Sequence, residues 1–292
     1  MKRFRKCEAL SKASACITKQ DIISWFKRTE TSLAAEGFDS ILNDPSRIFN
    51  ADESFFILNP SNGRAVVPKG TKNVYEVKNG SEKEGITVMA GFSADGMTVT
   101  PQIIYPFERV PATIRTTFPS TMHLSNRKSG WNNGIVFLEY ISDVFHPYIT
   151  KNQIQLPVIL FIDGHSSHLT LDVYKTCEDM NIILIKLFPN ATFLMQPADV
   201  SCFKSLKVIW KKIISEFKKN DISRRIQKTD FGCLMEAAFA QIKSETIRNG
   251  FRASGIYPWN HEAIDSSKCL GTEPPCSLSP TNGSNAALTL NK

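Results

Sequence analysis

Val158-Ile159-Leu160-Phe161-Ile162-Asp163-Gly164 is the stretch on which the fold turns. Five consecutive apolar residues without polar alternation describe a strand covered on both faces, as in sheets with helices packed on either side. Asp163 closes that strand. Open α/β sheets hold their ligands at strand ends, so Asp163 is either an anchored site carboxylate or, with Gly164, a turn.

Downstream of it, Thr170–Met180 reads as a helix and Ile182–Ile185 as a second buried strand. From Asp199 to about Lys219 a long helix buries Phe203, Leu206, Trp210, Ile213, Ile214 and Phe217 at helical spacing. Another helix is expected over Phe231–Arg248. From about Leu270 the chain is poor in large apolar residues and rich in Ser, Pro, Asn and Thr, a composition that reads as disordered.

Upstream, Val136, Tyr140, Val144 and Tyr148 give Ile135–Ile149 an amphipathic helical pattern. Gly85–Phe92 alternates as a strand, Ser93-Ala94-Asp95-Gly96 is a hairpin turn, and Met97–Tyr105 is the returning strand. Asn59–Glu84 is polar and irregular. Ile48 and Phe49 open a strand that reaches Asp52 and continues through Phe55–Leu58. Pro45 separates it from a largely helical beginning, where Ile22, Ile23 and Phe26 share one face and Asp21 suits a first turn. The class is therefore α/β, a mixed sheet flanked by helices. The RNase H-like fold has this order, and other α/β folds accommodate it too.

The 292 residues are enough for a sizeable core, and an apolar fraction of 42% excludes wholesale disorder. Lys and Arg number 35 against 28 Asp and Glu, a formal +7 that permits a nucleic-acid partner without requiring one. Seven cysteines, with no Cys-x-x-Cys pair, argue against a zinc ribbon or a disulfide framework and for free thiols. No apolar run approaches the roughly 18 residues of a membrane span, and no secretory signal follows the basic N-terminus. An intracellular, soluble protein is expected. Lys2, Arg3, Arg5 and Lys6 form a short cluster of the kind used for nuclear import.

Asp52, Asp163 and Asp199 each lie at a strand or at a helix start. Two carboxylates about 4 Å apart repel by roughly 4 kcal/mol at an effective dielectric of about 20. A divalent cation removes that repulsion, and Mg²⁺ prefers oxygen ligands, needing few carboxylates besides water and substrate phosphate. Taken singly, Asp199 is equally a helix N-cap and Asp163-Gly164 equally a turn.

Four strings decide between these readings. Asn50-Ala51-Asp52-Glu53-Ser54 resembles the Asn-x-Asp-Glu-Thr of pogo, Tigger and jerky-type transposases. Asp163-Gly164-His165-Ser166-Ser167-His168 is similar to their Asp-[Gly/Asn]-His-Ser-Ser-His. Pro189-Asn190-Ala191-Thr192, followed by Met195-Gln196-Pro197-Ala198-Asp199-Val200, resembles their Pro-x-x-Thr and Gln-Pro-Leu-Asp-Val. Phe251-Arg252-Ala253-Ser254-Gly255-Ile256-Tyr257-Pro258-Trp259-Asn260 is similar to a downstream string of the same group. The four stand in the family's order, and Asp199 follows Asp163 by 36 positions, close to the usual spacing. Ala198 stands where Leu is usual and Ser54 where Thr is usual.

The resemblance implies an RNase H-like fold. It makes Asp52, Asp163 and Asp199 the catalytic and metal-binding residues, with Mg²⁺ or Mn²⁺ as cofactor. It implies DNA strand cleavage by water, followed by attack of a 3′-hydroxyl on target DNA. The partner is DNA, the location the nucleus, no membrane is involved, and a homodimer stays open. Family members begin with a paired helix-turn-helix module related to that of centromere protein B. Only Phe4–Leu33 here resembles the exit from it, so most of the sequence-specific reader is expected to be missing. A fragment, a truncated gene model and a decayed or domesticated copy are the readings left for that gap. The division expected is 1–45, a remnant of that module; 46–268, the catalytic domain; and 269–292, a disordered tail.

Lys204, Lys207, Lys211 and Lys212 line the outer side of the long helix, either as a solvated face or as a track for DNA phosphates. His165 and His168 read as supports rather than zinc ligands, since no matching ligand set accompanies them. Glu53 points away from Asp52 by strand alternation. Trp131, Trp210 and Trp259 read as core. The alternatives to a transposase domain are a domesticated nuclear DNA-binding protein without catalysis and a different RNase H-fold nuclease.

Overall fold

The computed structural model describes residues 11–60, 84–128, 134–164, 170–219 and 224–271. Its strands are β1 (Ile48–Ile57), β2 (Gly85–Ser93), β3 (Gln102–Tyr105), β4 (His123–Asn126), β5 (Val158–Ile162) and β6 (Ile182–Lys186). They form one sheet in the order β4-β3-β2-β1-β5-β6. β1 runs antiparallel to β2 and parallel to β5, so the sheet is mixed as expected.

The α-helices are α1 (Lys12–Ala15), α2 (Lys19–Ala35), α3 (Ala112–Thr117), α4 (Gly134–Glu139), α5 (His146–Lys151), α6 (Leu171–Asp179), α7 (Thr192–Met195), α8 (Phe203–Phe217), α9 (Lys228–Phe239) and α10 (Ser244–Ala253). Two π-helical segments interrupt this set. Tyr140–Phe145 joins α4 to α5, and Ala198–Cys202 leads into α8.

Strand alternation sorts the core into two layers. Ile48, Phe56, Ile159 and Phe161 point to one face, where residues of α2, α8, α9 and α10 cover them. Phe49, Ala51, Leu160 and Ile162 point to the other, beneath Phe137, Tyr140 and Phe145 and beneath Val173 and Cys177 of α6. All five residues of β5 are fully buried, which is what an unbroken apolar run requires.

Helix α2 starts in a capping box. The Thr18 hydroxyl accepts from the Asp21 N–H at 3.1 Å, and Asp21 accepts from the Thr18 N–H at 3.0 Å. Its Trp25 indole donates to the Lys186 carbonyl at 3.1 Å. The Phe26 ring lies 4.5 Å from that of Trp259, which stacks on Phe161 at 6.0 Å. Ile17, Ile22, Leu33, Ile41 and Leu42 enter the same core as the sheet. The string Phe251–Asn260 closes this cluster. Gly255 has φ +69°, and a β-carbon there would meet the Asn260 carbonyl at 2.3 Å, so glycine alone fits. Further on, the Gly271 N–H donates to the Ile17 carbonyl at 3.1 Å, bringing the two ends of the described chain together.

Three expectations are corrected. The strand read as Met97–Tyr105 pairs fully only from Gln102. Pro101 has no N–H to give the ladder, and Thr98 makes only an isolated bridge to Phe92. The helix read as Phe231–Arg248 is two, α9 and α10, because the chain turns between Phe239 and Ser244 to lay α10 on the Ala198–Cys202 turn. The helix expected over Ile135–Ile149 runs from Gly134 to Lys151 with a π turn inside it. Strand β4 and helices α3 and α7 carried no usable period at four to six residues each. Only Cys269–Gly271 of the expected tail falls within the described residues. Cys16, Cys177, Cys202, Cys233 and Cys269 are in no disulfide, and burial pushes the Cys177 and Cys202 thiols up to about 12.

Candidate active site

Asp52 shares its face of β1 with Ile48, Asn50 and Phe56, the face that α8 and α10 cover. Parallel pairing aligns Asn50 with Phe161. Carried two residues further, that register sets Asp52 beside Asp163, just beyond the end of β5, on the same face. Asp199 is the second residue of the π segment, about one turn before Phe203. Phe203, Leu206, Trp210 and Ile214 make the buried stripe of α8, so Asp199 lies near the line of the stripe that faces the sheet. The long helix therefore exists, and its first turn is a π turn. Such turns are frequent at functional sites.

The three carboxylates feel one another. Asp52 is 7% exposed. Burial is the main cause that pushes its carboxyl well above the ordinary range, followed by the charges of Asp199, Glu53 and Asp163; the Glu53 N–H, donating to it, works the other way. Asp199 keeps solvent contact, yet the surrounding protein is still the largest cause raising its carboxyl. Lys207 opposes that rise and Asp163 adds to it. Among the described residues no three of His, Cys, Asp and Glu stand close enough to hold a metal ion by themselves. The aspartates are grouped within electrostatic reach, short of a closed cage. Their chemistry suits a hard divalent cation, because such an ion offsets both the burial and the mutual repulsion that disfavour the charged forms of Asp52 and Asp199.

Sequence reasoning quoted Asn50 and Gln196 in its strings but gave them no role. Both are fully buried. Asn50 Nδ2 donates to the Phe161 carbonyl at 3.0 Å and to Gln196 Oε1 at 3.1 Å, and Asn50 Oδ1 accepts from the Ala198 N–H at 2.9 Å. Gln196 Nε2 donates to the Ala51 carbonyl at 3.4 Å. Lys186 was also missed. A β-carbon on Gly164 would lie 2.6 Å from Lys186 Cε, so this side chain crosses the residue after Asp163. A lysine ending the second apolar strand was the available signal.

Helix α10 braces the Asp199 turn from behind. The Ser201 hydroxyl donates to the Thr246 carbonyl at 2.8 Å, and a β-carbon on Gly250 would sit 2.8 Å from the Pro197 carbonyl oxygen. Lys204, Lys207, Lys211 and Lys212 are exposed along α8. Trp210 and Trp259 pack in the core, and Trp210 Nε1 donates to the Ile57 carbonyl at 2.9 Å. His165, Ser166, Ser167, His168 and Trp131 lie outside the described residues.

The model of the family described as DDE superfamily endonuclease matches residues 83–251, more than half of the chain. The Homo sapiens protein named Pogo transposable element with KRAB domain is 26% identical over 243 residues, covering 77% of this chain and 39% of that protein. Its Mus musculus namesake is 25% identical over 218 residues, covering 71% and 35%. A Cochliobolus lunatus protein named MFS-type transporter clz9 is 24% identical over 231 residues, covering 77% of this chain and 24% of that protein. The chain thus spans between about a quarter and two fifths of the curated relatives it matches. Among the described residues no helix is long and apolar enough to cross a membrane. Among solved structures, a Mos1 transposase paired-end complex with the left transposon end matches with a TM-score of 0.58 at 13% identity, covering 92% of this chain and 66% of that one. A mariner Mos1 paired-end complex with Mg matches with a TM-score of 0.57 at 16% identity, covering 93% and 68%. At such identities the likeness is one of fold, and that fold is RNase H-like.

Proposed function

The chain belongs to the DDE superfamily endonuclease family, in its pogo group, and from that membership we propose that it is the catalytic domain of a divalent-metal-dependent DNA strand transferase. The observation that carries the reading is the grouping of Asp52, midway along β1, with Asp163, just past the end of β5, and Asp199, within electrostatic reach of one another.

In this reading the three carboxylates hold Mg²⁺ or Mn²⁺, as the Mg complex of a structural neighbour supports. Such an ion, when bound, polarises the phosphodiester and makes water a better nucleophile. Because Mg²⁺ retains waters and takes substrate phosphate oxygens as ligands, a grouped but open set of carboxylates suffices. A water oxygen attacks phosphorus, the bond to the 3′ oxygen breaks, and that oxygen leaves with a proton as a hydroxyl. The same hydroxyl then attacks a phosphorus of target DNA, and the target's own 3′ oxygen leaves with the proton. Lys204, Lys207, Lys211 and Lys212 meet DNA phosphates along α8, and Lys207 also tempers the charge of Asp199. Residues 46–268 form the catalytic unit, ahead of the tail 269–292. Within the stretch 1–45, α2 and the residues after it share the core of the catalytic unit. Action on DNA places the protein in the nucleus. A homodimer belongs to the same reading, and sedimentation of the purified chain reads it directly.

The deciding experiment is nicking of supercoiled plasmid by the purified chain with Mg²⁺ or Mn²⁺. Wild type is expected to nick and Asp163→Asn to be inactive. Equal nicking by both would refute the assignment. Salt-sensitive DNA binding with no nicking under either metal would instead leave the protein as a domesticated DNA-binding protein without catalysis.

A further inference from the structure

Asn50 and Gln196 form a buried amide pair whose partners sit next to all three aspartates. Asn50 is two residues before Asp52, and Gln196 donates to Ala51, the residue before Asp52. The Asn50 amide donates to Phe161, two residues before Asp163, and accepts from Ala198, the residue before Asp199. The pair is joined through Gln196 Oε1, which accepts from Asn50. Backbone partners fix the orientation of both side chains. Only an oxygen accepts from the Ala198 N–H, and only nitrogens donate to the Phe161 and Ala51 carbonyls.

We propose that Asn50 and Gln196 are positioning residues that set the spacing of Asp52, Asp163 and Asp199 for metal binding. This rests on the strand-transferase reading above. Two fully buried amides are a costly way to fill a core, because each must be desolvated and an apolar pair of like volume is not penalised in this way. Their bonds go to β1, to β5 and to the π turn, the three elements that carry the carboxylates. These elements have a reason to drift apart, since the aspartates they bear repel one another. Hydrogen bonds between neighbouring strands tie β1 to β5, and among the described residues the amide pair bonds both strands to the residues just ahead of Asp199. The pair thus works through the backbone and touches neither substrate nor metal.

Two variants test this: Gln196→Met, apolar and of like length, and Asn50→Asp, of like volume but with a carboxylate oxygen facing the Phe161 carbonyl. Three measurements are made on each: thermal melting without metal, the Mg²⁺ and Mn²⁺ concentrations that half-saturate the melting shift, and plasmid nicking with each metal. Mg²⁺ demands near-ideal octahedral geometry, so displaced carboxylates should harm Mg²⁺ more than Mn²⁺. Loss of a group that orients metal ligands typically costs about 10–100-fold in affinity or activity. Gln196→Met is expected to fold, to need about 10-fold more Mg²⁺, and to show a raised ratio of Mn²⁺ to Mg²⁺ activity. Asn50→Asp should show the larger effect. An unchanged metal preference and half-saturation in a folded Gln196→Met, beside a wild type that nicks and an inactive Asp163→Asn, overturns the positioning role and leaves the strand-transferase reading standing. If Asn50→Asp does not fold, Gln196→Met alone decides. A wild type that neither nicks nor shifts its melting with metal sinks both readings together.

Discussion

On the face of the sheet that carries Asp52, the buried amides of Asn50 and Gln196 find backbone partners, and charge gathers at the strand ends. On the opposite face the Tyr140 hydroxyl, whose ring lies beside Phe137 and Phe145, and the Gln102 amide, opposite Met89, are buried without partners among the described residues. The same strands build both faces, and each face receives a π turn, Ala198–Cys202 on one and Tyr140–Phe145 on the other. The amides beside the aspartates are thus fully bonded, whereas the Tyr140 hydroxyl and the Gln102 amide, like His261 Nδ1 beside Phe26, have no partner among the described residues.

Gly250→Ala is the strongest way to break this comparison. Its β-carbon would press on the Pro197 carbonyl oxygen and on Ser201 and push α10 away from the Asp199 turn. Overpacking of this kind costs about 1–3 kcal/mol. Nicking at a temperature where the variant is folded should fall further than stability does. A variant as active as wild type would show that α10 does not hold the turn.

Asp52→Asn sharpens it. Removing a buried, repelled carboxylate should raise the melting temperature of the metal-free protein while abolishing nicking. About 1 kcal/mol corresponds to a rise of roughly 2–4 °C in a domain of this size. The pH dependence has a definite sign. The Asp52 carboxyl is raised in the folded state, so between its unfolded and folded values the native protein binds more protons than the unfolded chain. Wild-type stability therefore falls as pH rises through that window. The gap between Asp52→Asn and wild type should close as pH is lowered toward the ordinary carboxylate range, and a gap that widened on acidification would remove the repulsion argument.

Tyr140→Phe probes the other face. Its hydroxyl has no partner, so deleting it is expected to be neutral or to stabilise by up to about 1 kcal/mol, measured by denaturant melting. A loss of more than that would mean the face is as closely wired as its counterpart. The smallest effect is expected at the surface. Lys211 and Lys212 replaced together by Ala should leave stability unchanged and flatten the log–log salt dependence of DNA binding by up to about two units, at roughly 0.9 per phosphate. An unaltered slope returns both lysines to the role of a solvated face.

The sequence showed one half of this comparison better than the other. Asp52, Asp163 and Asp199 were readable because each sits in a short string, and β5 because five apolar residues admit few other structures. The meeting of Asn50 with Gln196 was not readable: the two are 146 residues apart and depend on how β1 registers with β5, which no local pattern encodes. Neither π turn has a signature residue, since the extra backbone residue is accommodated by packing. The break between α9 and α10 contains no glycine or proline and goes with the close fit of Gly250 against Pro197, a contact between residues distant in sequence. The resemblance of short strings thus named the candidate acids, and tertiary packing brings them within electrostatic reach of one another.

The bond between the Gly271 N–H and the Ile17 carbonyl has a consequence of another kind. A fold whose chain enters and leaves at a single point is a cassette. It can be spliced into a host sequence through one surface position without prising apart the elements on either side. The relatives that share this segment are roughly two and a half to four times longer than the part it matches. Adjacent ends are what insertion into a longer chain requires.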